Sequence, residues 1–182
     1  MMKLRYLVPL VAVLAGTAQA GAWNVAIDSS SVGFTGEQQG SKFNGKFERF
    51  GAMIDFDPAS PSSGSVTGSV ETESVNTRDY DRDATLAEAD WFDPANHPEA
   101  TFESTSIEPA ADGMFVAHGN LTIKGKTRPA DMSFSFSQDG DTAMFDGKLS
   151  IDRFDFNVGE GWNDTSWVGQ NVDVEIKLEL SR

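Results

Sequence analysis

Residues 171–180 read NVDVEIKLEL, and this stretch decides the fold. Its five apolar side chains alternate with polar or charged ones, so one face of the segment is apolar and the other faces water. The same period of two recurs in ADMSFSFSQ, residues 130–138, and around Val66 and Val70. The pattern predicts half-buried strands of an antiparallel sheet.

Further strand-like segments lie upstream of this stretch, separated by turn sequences such as ADG at residues 111–113. About eight strands joined mostly by short turns predict an all-β fold, an eight-stranded antiparallel barrel, because closure leaves no unpaired edge. Between residues 43 and 56 the apolar side chains move from odd to even positions. That shift predicts a bulge near residues 49–51.

A long acidic segment, RDYDRDATLAEADWFDPANHP at residues 78–98, interrupts the alternation. Residues 84–90 within it are predicted to form a short helix that ends before Pro94. A connection of this length normally crosses one end of a barrel. We therefore expect it to cover the barrel mouth, with Trp91 and Phe92 as its anchors.

The same segment almost fits a calcium-binding loop. Asp79, Asp81, Asp83 and Asp90 occupy ligand positions of such a loop, but Ala84 replaces its turn glycine and no glutamate closes it. A solvated acidic loop is the simpler interpretation. A calcium-stabilised structural domain stays as an alternative.

The remaining motifs indicate neither catalysis nor a metal site. GNLTIKGKT, residues 119–127, has the wrong spacing for a phosphate-binding loop and is typical of a hairpin turn. His97 and His118 are far apart in sequence, and the chain has no cysteine. The sequence therefore predicts no catalytic residue, no metal and no cofactor.

A second unusual stretch, FDFNVGEGWNDTSWVGQ at residues 154–170, places Trp162 and Trp167 in a glycine-rich loop. Two tryptophans in such a loop either plug one barrel end or contact a ligand, because their amphipathic rings suit both roles.

The N-terminal residues predict export. Residues 1–20 combine Lys3 and Arg5, an apolar run at residues 7–16 and the small-residue ending Ala18-Gln19-Ala20, as in a cleaved signal peptide. Residues 21–182 would then form one domain. The chain carries a net charge of −14, which disfavours nucleic acid and anionic membranes as partners. No later apolar run is long enough to span a bilayer.

Four stretches together resemble the YceI-like family of bacterial periplasmic polyisoprenoid-binding proteins. They are WNVAIDSSSVGF (23–34), GKFERFGAMIDFDP (45–58), SVNTRDYDRDATLAEADWFDPANHPEATFES (74–104) and GNLTIKGKTRPADMSF (119–134). The resemblance implies a periplasmic, lipocalin-like barrel whose apolar interior holds a long prenyl or fatty chain. Together with the absence of catalytic motifs, it predicts a binding protein for an isoprenoid lipid rather than an enzyme. Many members carry a histidine shortly after the Arg-Asp pair that matches Arg82-Asp83, where this chain has Ala84 and Thr85.

The ending GEGWNDTSWV, residues 159–168, is similar to a family branch found beside membrane b-type cytochromes. That similarity implies such a cytochrome as a partner and an isoprenoid quinone as the ligand. A polyprenyl phosphate is the other ligand that the family resemblance allows, and a hydrolase or isomerase acting on such a lipid is the alternative function. The oligomeric state stays open, with a homodimer among the possibilities.

The predicted ligand-binding residues are the aromatic and aliphatic side chains of the barrel interior and mouth, together with two mouth arginines. They are Phe34, Phe47, Arg78, Arg82, Leu86, Trp91, Phe92, Phe102, Phe134, Phe136, Phe154, Trp162 and Trp167.

The head group of the ligand depends on what the two arginines do. Arg78 and Arg82 would grip a phosphate, or would only offset the neighbouring aspartates. A neutral quinone needs one or two hydrogen bonds, which Thr85, Asn96 or Trp162 could supply. Because the chain is strongly acidic, we expect the neutral head group.

Overall fold

The computed structural model describes residues 22–182, and the predicted signal peptide lies outside the described residues. Within that range the chain forms eleven β-strand segments and a short α-helix. The strand segments are β1 Ala22–Val25, β2 Ser31–Gln38, β3 Ser41–Phe47, β4 Phe50–Asp55, β5 Ser65–Glu71, β6 Val75–Asn76, β7 Glu99–Pro109, β8 Phe115–Ile123, β9 Lys126–Asp139, β10 Thr142–Asp152 and β11 Asn171–Ser181. The helix is α1, Tyr80–Leu86.

These segments combine into eight antiparallel strands of one closed barrel. β1 and β2 both pair with β11, so they form a single strand that is interrupted by a 3₁₀ turn at Ile27–Ser29. In the same way, β3 and β4 pair with β2 and β1, and β5 and β6 pair with β4 and β3. The strands β7 to β11 follow as a meander, and β11 closes the ring. The eight-stranded antiparallel barrel predicted from the sequence is confirmed.

The predicted shift in the apolar pattern corresponds to the break between β3 and β4. Glu48 and Arg49 leave the ladder there, and their backbone N–H groups donate to the carbonyl and hydroxyl oxygens of Ser74, each at 3.0 Å. The break turns the strand, so apolar side chains point inward on both sides of it.

Aromatic rings fill the barrel at the end opposite α1. Phe56, Phe134 and Phe145 are fully buried, and the Phe134 and Phe145 rings stack with centroids 4.7 Å apart. Phe115 packs edge-on against Phe56 at 4.9 Å, and Phe136 contacts both Phe56 and Trp23. We call this cluster the floor of the barrel, because it closes the interior at the end opposite α1.

The connections at the other end form the barrel mouth. In an up-and-down barrel the connections alternate between the two ends, so residues 39–40, 77–98, 124–125 and 153–170 meet at one end. Their contacts confirm this: the Gln39 N–H donates to the Trp167 carbonyl at 2.8 Å, and the Gly169 N–H donates to the Glu37 carbonyl at 2.9 Å.

A short helical segment covers this end, as predicted, but the predicted bounds of 84–90 are wrong. The helix begins four residues earlier, because the Asp79 carboxylate caps it by accepting a hydrogen bond from the Arg82 N–H at 3.1 Å. Asp81 and Asp83 lie in the first turn, where negative charge is favourable. Beyond Leu86 the chain continues as turns rather than as helix.

Candidate functional site

An apolar cavity of about 190 Å³ lies between the floor and the mouth. Its wall is made of inward-facing side chains from most of the strands and from both long mouth connections. Glu37 and Arg153 are the charged residues on this wall among the described residues. Such a chamber suits an apolar ligand far better than a charged one.

The mouth connection 77–98 reaches into the cavity with its apolar side chains. Leu86 and Trp91 are each 7 % exposed and line the cavity wall. Phe92 packs against Phe47, with ring centroids 5.9 Å apart. The apolar residues of this segment therefore form the inner surface of the mouth.

The mouth connection 153–170 is organised around Arg153, which is 3 % exposed. All five of its N–H donors meet backbone carbonyls of this connection: those of Val158, Gly159, Trp162, Val168 and Gly169, at 2.5 to 3.2 Å. Burial lowers the pKa of the guanidinium, and the negative charges of Asp152 and Asp90 oppose that shift. The donors are saturated, so Arg153 has none left for a ligand.

Asp90 and Lys124 tie the two long mouth connections together. The Asp90 carbonyl accepts from the Gly159 N–H at 2.7 Å and from Lys124 Nζ at 2.9 Å. The same ammonium group donates to the Asn157 carbonyl at 2.9 Å. The two connections therefore form one continuous cover rather than two independent loops.

The predicted site residues fall into two groups. Six line the cavity wall, and seven lie elsewhere. The wall residues are Phe34, Phe47, Leu86, Trp91, Phe92 and Phe102, whereas Phe134 and Phe136 belong to the floor cluster, and Phe154, Trp162, Trp167, Arg78 and Arg82 lie in the mouth connections away from the wall. Their role in binding stays a prediction.

Three aromatic residues of connection 153–170, Phe154, Trp162 and Trp167, lie off the cavity wall, whereas Phe156 is buried and lines it. Phe154 lies under the Arg153 guanidinium, with the Cζ atom 4.1 Å from the ring centroid. Trp162 is 47 % exposed, and its ring centroid is 6.2 Å from that of Trp91. Trp167 is 54 % exposed. These two tryptophans lie on the outer side of the mouth.

Three of the polar side chains expected to hold a head group, those of Arg82, Thr85 and Asn96, are engaged in local contacts. Arg82 donates to Gln38 Oε1 at 3.1 Å, pairs with Asp79 and stacks over Phe43. The Thr85 hydroxyl donates to the Asp81 carbonyl, and the Asn96 amide donates to the Asp93 carboxylate. Arg78 precedes α1 in a left-handed backbone conformation.

The acidic residues of the calcium-like loop point in different directions. Asp79 caps α1, Asp83 accepts from the backbone and hydroxyl of Thr77, and the Asp90 carboxylate accepts from the Gly161 N–H. Within residues 22–182, no three His, Cys, Asp or Glu side chains are close enough to hold a metal ion. The calcium alternative therefore lacks a preformed cluster of carboxylates in this part of the chain.

The two histidines have separate structural surroundings. His97 packs against Gly125 at the mouth, and its carbonyl accepts the Thr72 hydroxyl at 2.8 Å. His118 lies on the outer face of β8, where its Nδ1 is 2.7 Å from Asp131 on β9. Neither lines the cavity.

A closed eight-stranded barrel with an apolar chamber and a covered mouth defines a lipocalin-like barrel of the kind that encloses a ligand. Residues 23–180 match the model of the family described as "YceI-like domain". The chain belongs to the YceI-like family, as its sequence indicates.

Relatives of known sequence and structure agree with this assignment. A UPF0312 protein of Azotobacter vinelandii is 31 % identical over 93 % of both chains. The crystal structure of BcnA from Burkholderia cenocepacia is 36 % identical, covers 86 % of this chain and 99 % of its own, and superposes with a TM-score of 0.82.

A more distant structure shares the fold. It is a domain from Saccharophagus degradans, described as polyisoprenoid-binding and implicated in plant cell wall breakdown. It is 16 % identical, covers 89 % of this chain and 98 % of its own, and has a TM-score of 0.65.

Proposed function

We propose that the protein binds a long-chain isoprenoid lipid inside the barrel and carries it through the periplasm. The apolar cavity beneath the covered mouth is the observation that carries this proposal. Burying a prenyl chain there contributes about 0.8 kcal/mol per methylene before ordering costs are subtracted. The polyisoprenoid-binding description of the S. degradans domain, which has the same fold, supports the choice of ligand class.

The periplasmic part of the proposal rests on the leader-like residues 1–20. In the described residues, no helix has the length and apolar character needed to cross a bilayer. A carrier must exchange its lipid with a membrane component, and the membrane b-type cytochrome implied by the family resemblance belongs to the proposal as that partner.

We further propose a neutral, quinone-type head group. A phosphate needs cationic donors, but Arg153 is the cation of the cavity wall among the described residues, and its five donors are saturated. Arg78 and Arg82 are not part of that wall. A quinone needs only a hydrogen bond or two in an otherwise apolar chamber. The apolar wall formed by the described residues therefore suits a quinone better than a phosphate.

Mass spectrometry of lipids extracted from protein purified from the native periplasm tests the proposal. The expected result is a chain lipid of the isoprenoid quinone class in the organic phase. The matched control is a Gly68→Leu variant, whose new side chain would occupy the chamber and exclude that lipid. Absence of any chain lipid, together with no uptake of a fluorescent prenyl probe, would overturn the proposal.

The same preparation tests the alternative of a lipid hydrolase or isomerase. Glu37 is the carboxylate on the cavity wall among residues 22–182. Turnover of a prenyl ester or prenyl phosphate that disappears in a Glu37→Gln variant would favour that alternative. Recovery of unchanged lipid after incubation is the result expected for a carrier.

A further inference from the structure

One buried hydrogen-bond donor of the mouth has no partner. Among the buried side-chain nitrogen and oxygen atoms of residues 22–182, Nε1 of Trp91 is the one without a hydrogen bond. Trp23, which is also buried, donates its Nε1–H to the Phe56 carbonyl at 3.0 Å. Buried tryptophan N–H groups normally have such a partner, so the unpaired donor of Trp91 needs an explanation.

The position of the Trp91 ring relates this donor to the cavity. The ring lines the cavity wall. One edge of the ring lies against Gly159. A Cβ atom added at Gly159 would be 2.9 Å from Trp91 Cζ3 and 2.8 Å from Trp91 Cη2. Nε1 belongs to the five-membered ring of the indole, so it is not the part of the ring that lies against Gly159.

We infer that the Trp91 Nε1–H donates a hydrogen bond to an acceptor oxygen in the head group of the bound lipid. The inference rests on the proposed function and adds a binding contact to it. Because the donor is already shielded from water in the folded protein, the ligand oxygen gains this bond without dehydrating the N–H group. The contact would hold the head group at the mouth, with the chain directed toward the floor.

A single neutral N–H donor selects among head groups. An indole nitrogen donates but does not accept, so the matching ligand atom is any acceptor oxygen, such as that of a carbonyl, an ether, a hydroxyl or a phosphate. A quinone carbonyl meets this requirement, whereas a hydrocarbon chain without oxygen leaves the donor unpaired. Decylubiquinone and an oxygen-free prenyl hydrocarbon are therefore the two diagnostic probes.

A Trp91→Phe variant removes the donor and keeps an aromatic ring. Decylubiquinone should bind this variant about threefold to tenfold more weakly than the parent, as expected for one lost hydrogen bond. The hydrocarbon should lose much less affinity, because it responds only to the smaller ring. Tyr80→Phe, which removes a hydroxyl donor from an exposed ring of the same mouth connection that is not part of the cavity wall, is the matched control and should leave both affinities unchanged.

A measurement on the parent protein keeps the inference testable if the variant folds poorly. In a proton NMR spectrum, decylubiquinone should move the Trp91 indole N–H resonance downfield, as hydrogen bonding to an oxygen does, and the hydrocarbon should not. An equal loss of both affinities in Trp91→Phe, or an unmoved N–H resonance in the quinone-bound parent, would overturn the inference alone. A parent that binds neither probe would overturn the proposed function itself.

Discussion

At the scale of single residues, Arg153 shows how an apolar barrel accommodates a buried charge. An isolated guanidinium in an apolar interior would be costly, because the charged group loses its water. Here the backbone of connection 153–170 replaces that water with five carbonyl oxygens. The arginine thereby fixes the path of the connection, and through Gly159 it also fixes the contact with Trp91.

Replacing Arg153 with methionine should disrupt this arrangement. The substitution leaves several inward-facing carbonyls without donors, so we expect the free energy of unfolding to fall by roughly 2–4 kcal/mol. Urea denaturation followed by circular dichroism measures this change. Arg128→Met is the control, because Arg128 is exposed on β9 and donates only to its neighbour's carbonyl. A loss no larger than that of the control would contradict the role assigned to Arg153.

Sequence patterns identify some of these residues and not others. Phe34 and Phe102 are found by alternation, because inward-facing positions recur every second residue in a strand. Phe134 follows the same rule yet lies in the floor cluster, since alternation gives the face of a strand and not the depth along it. Arg153 has no sequence signal, because an arginine after a strand is normally exposed.

At the scale of elements, the inward-facing glycines of the strands are of two kinds. Gly119 is covered by the ring of Phe102, and Gly147 by that of Phe145, so neither has room for a side chain. Gly68 of β5 is different: a Cβ atom there would meet nothing nearer than the Gly51 carbonyl oxygen at 3.8 Å. Since glycine weakens a strand, this open position on the cavity wall is suited to the close approach of a ligand.

A Gly68→Leu variant tests whether the ligand occupies the open space beside Gly68 of β5. The new side chain enters the cavity without a backbone clash, so stability should stay within about 1 kcal/mol of the parent. Decylubiquinone affinity should fall by at least about tenfold, because the chain and the leucine compete for the same space. Thermal unfolding and equilibrium binding measure the two effects. Gly119→Leu, which would clash with Phe102, is the contrasting variant and should lose stability.

The acidic mouth connection makes a separate prediction about calcium. Asp79, Asp83 and Asp90 already accept hydrogen bonds from three different places, so gathering them around one ion would break the cap of α1 and the tie to Gly161. The melting temperature should therefore be the same in calcium and in a chelator. A melting temperature that is several degrees higher in calcium than in the chelator, with the difference lost in Asp81→Asn, would instead support the calcium-stabilised alternative.

Element boundaries were less predictable than the strands themselves. The alternation of apolar and polar residues predicts β9 and β11, because each strand has one buried face and one solvent-exposed face. The start of α1 depends on one carboxylate that caps the helix, and several aspartates nearby could have filled that role. The breaks that divide strands, such as the one at Thr72–Ser74, depend on contacts between distant residues.

At the scale of the whole molecule, the charge and the cavity make different demands on a ligand. The chain carries a net charge of −14, and its outer strand faces include acidic rows such as Asp173, Glu175 and Glu179 of β11. A neutral lipid is not repelled by these negative charges as it enters the cavity. An anionic lipid approaches a surface of its own sign, and the repulsion extends over about 30 Å at 0.01 M salt but about 8 Å at 0.15 M.

Salt dependence should therefore separate the two head groups. Decylubiquinone affinity should be unchanged between low and high salt, because a neutral ligand does not respond to screening. A prenyl phosphate should bind more weakly than the quinone at low salt and recover part of the difference as salt screens the repulsion. Equilibrium titrations at the two salt concentrations measure both effects, with an Arg78→Gln/Arg82→Gln double variant as the comparison. A parent that prefers the phosphate, and whose preference weakens with salt and vanishes in the double variant, would show that the two arginines grip an anionic head group.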